Sequence, residues 1–189
     1  TDLDDAEWAR DYITKLSERG IVSGDESGRF NPDSPILREE FVKMLVKTLG
    51  IETVYVGSDF EDVPHSVWYY EFVSAASANG IVNGVDDSRF GAGLEITRED
   101  MCTMLYRALK RYGVYMPEAS GDRFSDDSNI SDYARGGVYA LKKINAVGGF
   151  PDGSFGPKQN ATRAEVAKIL SEVIDYADTA NNDNAEGDK

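Results

Sequence analysis

The feature that most constrains this 189-residue chain is an internal repeat of about sixty residues. Trp8 and Trp68 stand 60 apart, as do Gly20 and Gly80, Gly24 and Gly84, Phe30 and Phe90, and Arg38 and Arg98. A third copy follows 65 residues later, at Gly149, Phe155 and Arg163. In every copy the step from Gly24, Gly84 or Gly149 to the phenylalanine is 6 residues and from there to the arginine 8. The length variation lies outside this block, so the block is the rigid part of each unit. A repeat of this period is one supersecondary unit that cannot bury its apolar faces alone, so the units must close on one another.

Each copy reads as helix, turn-rich loop, helix. The first helix runs over about 7–19 in copy one, 67–79 in copy two and 132–143 in copy three. Trp8, Tyr12, Ile13 and Leu16 show the helical spacing. Gly20 and Gly80 stand where a C-terminal cap needs positive φ, and Asn145 takes that place in copy three. The loops "GDESGRFNPDSP", "GVDDSRFGAGLE" and "GFPDGSFGPKQN" carry turn chemistry, each with a phenylalanine expected to plug the core: Phe30, Phe90 and Phe155. Thr162 with Glu165 makes a capping box and Thr97 with Asp100 approximates one; Leu37 breaks the pattern in copy one, shifting its cap toward Ser34. Behind the caps run apolar stripes such as Phe41, Leu45 and Leu49. The expected fold is all-α: three helix-loop-helix repeats closed into one pseudo-threefold body with grooves at the junctions. The expected boundaries are 1–50, 51–113 and 114–177, with 178–189 a disordered tail or linker.

Composition narrows the functional classes. With 34 Asp+Glu against 20 Lys+Arg and a net charge of −14, a broad nucleic-acid or anionic-membrane surface is not expected. No apolar run approaches the roughly 20 residues that span a bilayer. The chain starts abruptly at Thr1 without a signal peptide and reads as an excised piece. Cys102, the one cysteine, sits on an apolar helix face as a structural thiol. His65, the one histidine, has no nucleophile elbow beside it and leaves no Cys/His metal set. No metal or cofactor is expected.

Against this acidic background, "PILREEFVKML", "EITREDMCTML" and "NATRAEVAKIL" each place an arginine in the first turn of a helix. A cation is mildly unfavourable there, because the backbone N–H groups already make that end electropositive. Two explanations remain open. Arg38, Arg98 and Arg163 await an anion that also uses free N–H groups of the helix start, or they pair with carboxylates such as Glu39, Glu99 and Glu165 and brace the three units.

The pattern F-x-D, W, GI-x-G, F, ITRAE-x-A resembles the S-layer homology (SLH) domain, which occurs as three tandem copies. Copy two carries it as Phe60, Asp62, Trp68, "GIVNG", Phe90 and "ITRED"; copy one has "GIVSG" and "ILREE"; copy three has "FSD", Tyr133, "NAVGG" and "TRAE". The resemblance implies a non-catalytic module of a larger exported protein, outside the cell on a Gram-positive-type cell wall. It implies binding of a secondary cell-wall polysaccharide bearing pyruvylated N-acetylmannosamine in inter-repeat grooves. The arginine of TRAE is a family binding residue and carries over to Arg38, Arg98 and Arg163, with Arg98 in the most complete copy. Leu37 departs from the pattern at the first site, and Tyr133 and Asn145 at the third.

The remaining candidates keep two readings each. Trp8, Trp68 and Tyr133 belong to apolar stripes and are read as core or groove wall, with stacking on a sugar as the alternative. Gly24, Gly84 and Gly149 either let backbone N–H groups approach a ligand or simply make a turn. Asp2, Asp62 and Asp126 are expected to cap their helices or segments, and the resemblance puts Asp62 near a groove. A protein-binding repeat module within a surface lattice is the runner-up function. A two-carboxylate glycosidase is third, since acidic pairs arise here from composition alone.

Overall fold

The computed structural model describes residues 2–4, 6–53, 57, 60–118 and 121–186, the last seven by backbone alone. Among the described residues there are six α-helices: α1 Arg10–Glu18, α2 Arg38–Thr48, α3 Tyr70–Ala78, α4 Arg98–Arg111, α5 Asp132–Lys143 and α6 Arg163–Glu186. No strand or sheet is formed among the described residues. The all-α expectation therefore holds. None of these helices is long and apolar enough to cross a membrane.

Helix ends follow the expected chemistry in most places. Gly20 and Gly80 adopt φ of 67° and 68°, and Asn145 reaches 60° in the same role. The Thr97 side chain accepts the Asp100 N–H; Thr162 and Glu165 cap each other reciprocally. At α2 the cap is Leu37 rather than Ser34, and only half the box forms: the Glu40 carboxylate accepts the Leu37 N–H. The first helix of copy two begins at Tyr70, later than expected, because turns occupy the stretch after Pro64. The stretch expected as a disordered tail from 178 is helical through Glu186. Extending a nucleated helix costs far less than starting one, so the packed part of α6 carries its polar end.

The helices pair between repeats rather than within them: α2 packs on α3, α4 on α5, and α6 on α1. Gly137 lets α5 approach α4 closely; a Cβ there would lie 3.1 Å from the Cys102 carbonyl oxygen. Three short backbone contacts close the body. Ile36 N–H donates to the Ala161 carbonyl, Ala161 N–H to Ile96, and Ile96 N–H back to Ile36, at 3.0, 2.9 and 3.0 Å. This ring is the pseudo-threefold axis. One contiguous apolar core surrounds it, and Phe30, Phe90 and Phe155 are buried in it as expected. Cys102 is fully buried, and burial pushes its thiol up to about 12.

Candidate functional site

The arginines form a second ring around the first. Arg38 Nε donates to the Phe90 carbonyl, Arg98 Nε to Phe155 and Arg163 Nε to Phe30, at 3.2, 2.9 and 2.8 Å. Each guanidinium also lies over the ring of the phenylalanine it holds. Each pairs with the acid in the third position of a helix in another repeat: Arg38 with Asp100 at 3.1 Å, Arg98 with Glu165 at 2.5 Å, and Arg163 with Glu40 at 3.7 Å. The bracing pairs therefore exist, but their acids are Asp100, Glu165 and Glu40, not Glu39 and Glu99. Burial lowers the Arg38 pKa and the nearby Asp100 charge counteracts it.

The helix starts are not free to bind an anion with their first N–H groups. The Arg38, Arg98 and Arg163 amides donate to the carbonyls of Leu94, Gln159 and Ser34, and those of Glu99 and Ala164 to Pro157 and Pro32. Closure of the body consumes these donors.

Asp2, Asp62 and Asp126 do not cap helices. Each carboxylate reaches across its own loop to the phenylalanine turn. Asp62 accepts the N–H groups of Phe90, Gly91 and Ala92 at 2.8, 2.7 and 2.9 Å; Asp2 holds Phe30 and Asn31, and Asp126 holds Phe155 and Gly156. Burial works to raise the Asp62 pKa, yet the three donors keep it below the usual carboxylate value. The anchoring phenylalanine is thus held at its N–H by its own repeat and at its carbonyl by an arginine of another. Asp62 acts through the loop rather than as a free ligand contact.

Trp8, Trp68 and Tyr133 leave the core altogether, with 53%, 55% and 56% of their surfaces exposed. Their helical spacing matches a core stripe, but each lies at the start of a first helix, on the rim of a junction. Trp68, just ahead of α3, lines a cleft of about 640 Å³ between α2 and the loop of the first repeat, together with Gly24, Lys43, Lys47 and Arg163. Tyr133 lines a second cleft of about 320 Å³ between α4 and α5, with Gly84, Arg107 and Arg38. Each residue of the smaller lining has a counterpart in the larger one, such as Asp100 with Glu40, Met104 with Met44 and Arg107 with Lys47. Lys43 sits 5.2 Å above the Trp68 ring. Burial and the Asp100 and Glu99 carboxylates raise the Tyr133 pKa, so its hydroxyl stays a donor to both.

Glu99, named above only as a possible arginine partner, is nearly fully buried and accepts from the Ser131 N–H and hydroxyl, Tyr133 and Lys158. It fixes the start of α5 and with it the Tyr133 ring. Nothing in the repeat pattern flagged it, because Glu39 accepts instead from the Gly93 N–H and Ala164 has no carboxylate.

The α6/α1 junction departs from the other two. Arg98 there is buried like Arg38, but the Phe150 ring covers it at 5.0 Å and the Gly148 carbonyl takes another of its N–H groups. Glu172 stands where Lys47 and Arg107 stand elsewhere, and holds the Tyr12 hydroxyl. Gly149 packs under Phe124, and Gly84 under Phe60 and the Arg89 carbonyl, with no room for a Cβ; Gly24 is held against Gly28 almost as tightly. These glycines serve the turn, while Gly24 and Gly84 also face their clefts.

Fold and clefts define a class: a closed body of three helical repeats that presents cationic, aromatic-walled clefts at its junctions. A family profile for the S-layer homology domain matches residues 1–42, 59–102 and 123–167. The chain belongs to the S-layer homology domain family. It is 37% identical over 169 residues to an amylopullulanase of Thermoanaerobacterium thermosulfurigenes, and 27% over 178 residues to a surface-layer 125 kDa protein of Lysinibacillus sphaericus. It is 30% identical over 166 residues to a middle cell wall protein of Brevibacillus brevis. These matches take in 89%, 90% and 86% of this chain but only 9%, 14% and 14% of the relatives. An enzyme name among them describes a protein of which this chain resembles a small part.

Proposed function

We propose that this chain is a non-catalytic anchoring module that attaches a larger exported protein, without a covalent bond, to the wall of a Gram-positive-type bacterium. Its partner is an anionic secondary cell-wall polysaccharide, bearing a pyruvate ketal on N-acetylmannosamine, held in the clefts between repeats. The observation that carries this reading is the cleft between α2 and the loop of the first repeat, where an exposed indole, two lysines and the Arg163 guanidinium converge in an otherwise strongly acidic molecule. An aromatic face suits a sugar ring and a guanidinium suits a carboxylate. Arg163, 18% exposed and 3.7 Å from Glu40, is the arginine freest to exchange its internal acid for a ligand carboxylate. Arg38 lines the second cleft but is 3% exposed and held 3.1 Å from Asp100, so it braces much as Arg98 does. The names of relatives as surface-layer and cell-wall proteins support the same reading.

The test is co-sedimentation with cell-wall sacculi that retain their secondary polymer and with sacculi stripped of it. Binding to the first and not the second is expected, and Arg163→Ala should weaken it more than Arg98→Lys. Equal binding to both preparations would overturn the reading.

A further inference from the structure

The α4 face that lines the second cleft continues beyond it. Its lining residues are Asp100, Thr103, Met104 and Arg107, three and four apart and therefore on one side of the helix. The next places on that side are Lys110 and Arg111, both exposed, while Arg107 is half-buried. Among the described residues none of the three makes an ion pair; Lys110 lies over the Tyr106 ring at 5.4 Å. No Asp or Glu occurs from 101 to 117, nor from 133 to 151, which takes in all of the neighbouring α5 after Asp132. The Arg38 guanidinium at the inner end is buried and bonded, so the positive charge free to meet a ligand lies outward along α4.

The other two repeats do not carry this row. At the equivalent places of α2, Lys47 is followed by Gly50, whose φ of 60° closes the helix end, and by the buried Ile51. On α6 the places are Glu172, Asp175 and Tyr176, each held by an internal partner: Tyr12, Lys15 and the Tyr115 carbonyl. Cations near a helix C-terminus also stabilise that end, but α2 closes with one lysine in its last turn, whereas α4 adds two to Arg107.

Resting on the anchoring reading for the identity of the polymer, we propose that Arg107, Lys110 and Arg111 form a cationic track on which an anionic polysaccharide strand lies as it leaves the second cleft. The site extends outside the cleft and takes successive negative groups along the strand rather than one sugar unit. A narrow row of cations about one helical turn apart, continuous with a cleft, suits an extended strand better than the broad face of an acidic protein.

The experiment is an NMR titration of the intact chain with secondary polymer released from sacculi, over a series of salt concentrations. The Tyr133 ring reports the second cleft and the Trp68 indole the first. Lys110→Gln/Arg111→Gln leaves every lining residue in place. It should weaken polymer binding at Tyr133 about three- to tenfold at low salt, the worth of two exposed ion pairs, and the loss should vanish at high salt. At Trp68 the change should stay below about twofold. Equal polymer affinity of the two proteins at Tyr133 across the salt series would overturn the inference, even if the variant lost self-association in sedimentation, which would assign the row to contacts between copies. Equal weakening at Tyr133 and Trp68 would also overturn it, as an effect of net charge. Shifts at Trp68 alone in the unsubstituted chain would overturn the track and leave the anchoring reading intact; no shift at either reporter would overturn both.

Discussion

Truncating Arg98 should damage the fold rather than the binding site. Its guanidinium makes hydrogen bonds to Glu165 at 2.5 Å, the Phe155 carbonyl at 2.9 Å and the Gly148 carbonyl at 3.3 Å, with 5% of the residue exposed. Arg98→Ala strands two carbonyls and a carboxylate. Removing one partner of a buried pair costs about 3–5 kcal/mol. The Glu165 side chain is 25% exposed and still accepts the Thr162 N–H, which points to the lower end, about 3 kcal/mol. For a chain of this size that lowers Tm by about 6–12 °C. Arg163, looser and partly exposed, should cost only about 1 kcal/mol and about 2–4 °C. Thermal unfolding followed by circular dichroism, run beside sacculus co-sedimentation, separates the two. Arg98→Ala should unfold early while retaining wall binding in the cold, and Arg163→Ala should stay folded and lose it. Equal Tm losses in the two variants, or an Arg98→Ala protein with native Tm and no binding, would refute the division of labour.

Three further outcomes follow from the same geometry. Asp62 has its pKa lowered on folding, so its stabilising contribution is complete above its ordinary value of 3.8 and is lost as the pH falls through the lower folded value. Asp62→Asn should therefore be less stable at neutral pH yet lose less on acidification below about pH 4; parallel urea-midpoint curves for the two proteins would contradict this. Trp68→Ala, at a site 55% exposed, should shift stability by no more than about 0.5 kcal/mol while weakening sacculus binding severalfold, measured by unfolding and co-sedimentation together. Cys102, fully buried and with its thiol pushed up to about 12, should react with an aromatic disulfide reagent only at the rate of unfolding; fast labelling in buffer would show the α4/α5 packing to be wrong.

Much of the scaffold was legible because it is written locally. The αL positions at Gly20, Gly80 and Asn145, the caps at Thr97 and Thr162, and the phenylalanine anchors each depend on residues a few places apart. The candidate site was legible only in outline. The arginines were found from their repeated place, and Glu165 was among the acids named for them, but Asp100 and Glu40 were missed, because the partners lie 62, 67 and 123 residues away in sequence. Trp68 and Tyr133 carry a helical spacing that fits a buried stripe as well as a groove wall. Only the packing of α2 on α3 and of α4 on α5 distinguishes the two. Asp62 invited a capping role by its place before a helix, whereas its donors come from Phe90, Gly91 and Ala92 in the following loop.

By itself the sequence determined that three equivalent helical units exist, where their helices and turns lie, and which side chains recur at fixed spacing. The closed ring decided the rest: which carboxylate meets which guanidinium, which aromatic faces water, and how the three junctions differ. The division has a physical cause. Turn and helix preferences are properties of a few neighbouring residues, whereas a cleft exists only where distant repeats meet, and a few side chains such as Phe150 or Glu172 are enough to set one of three otherwise similar junctions apart.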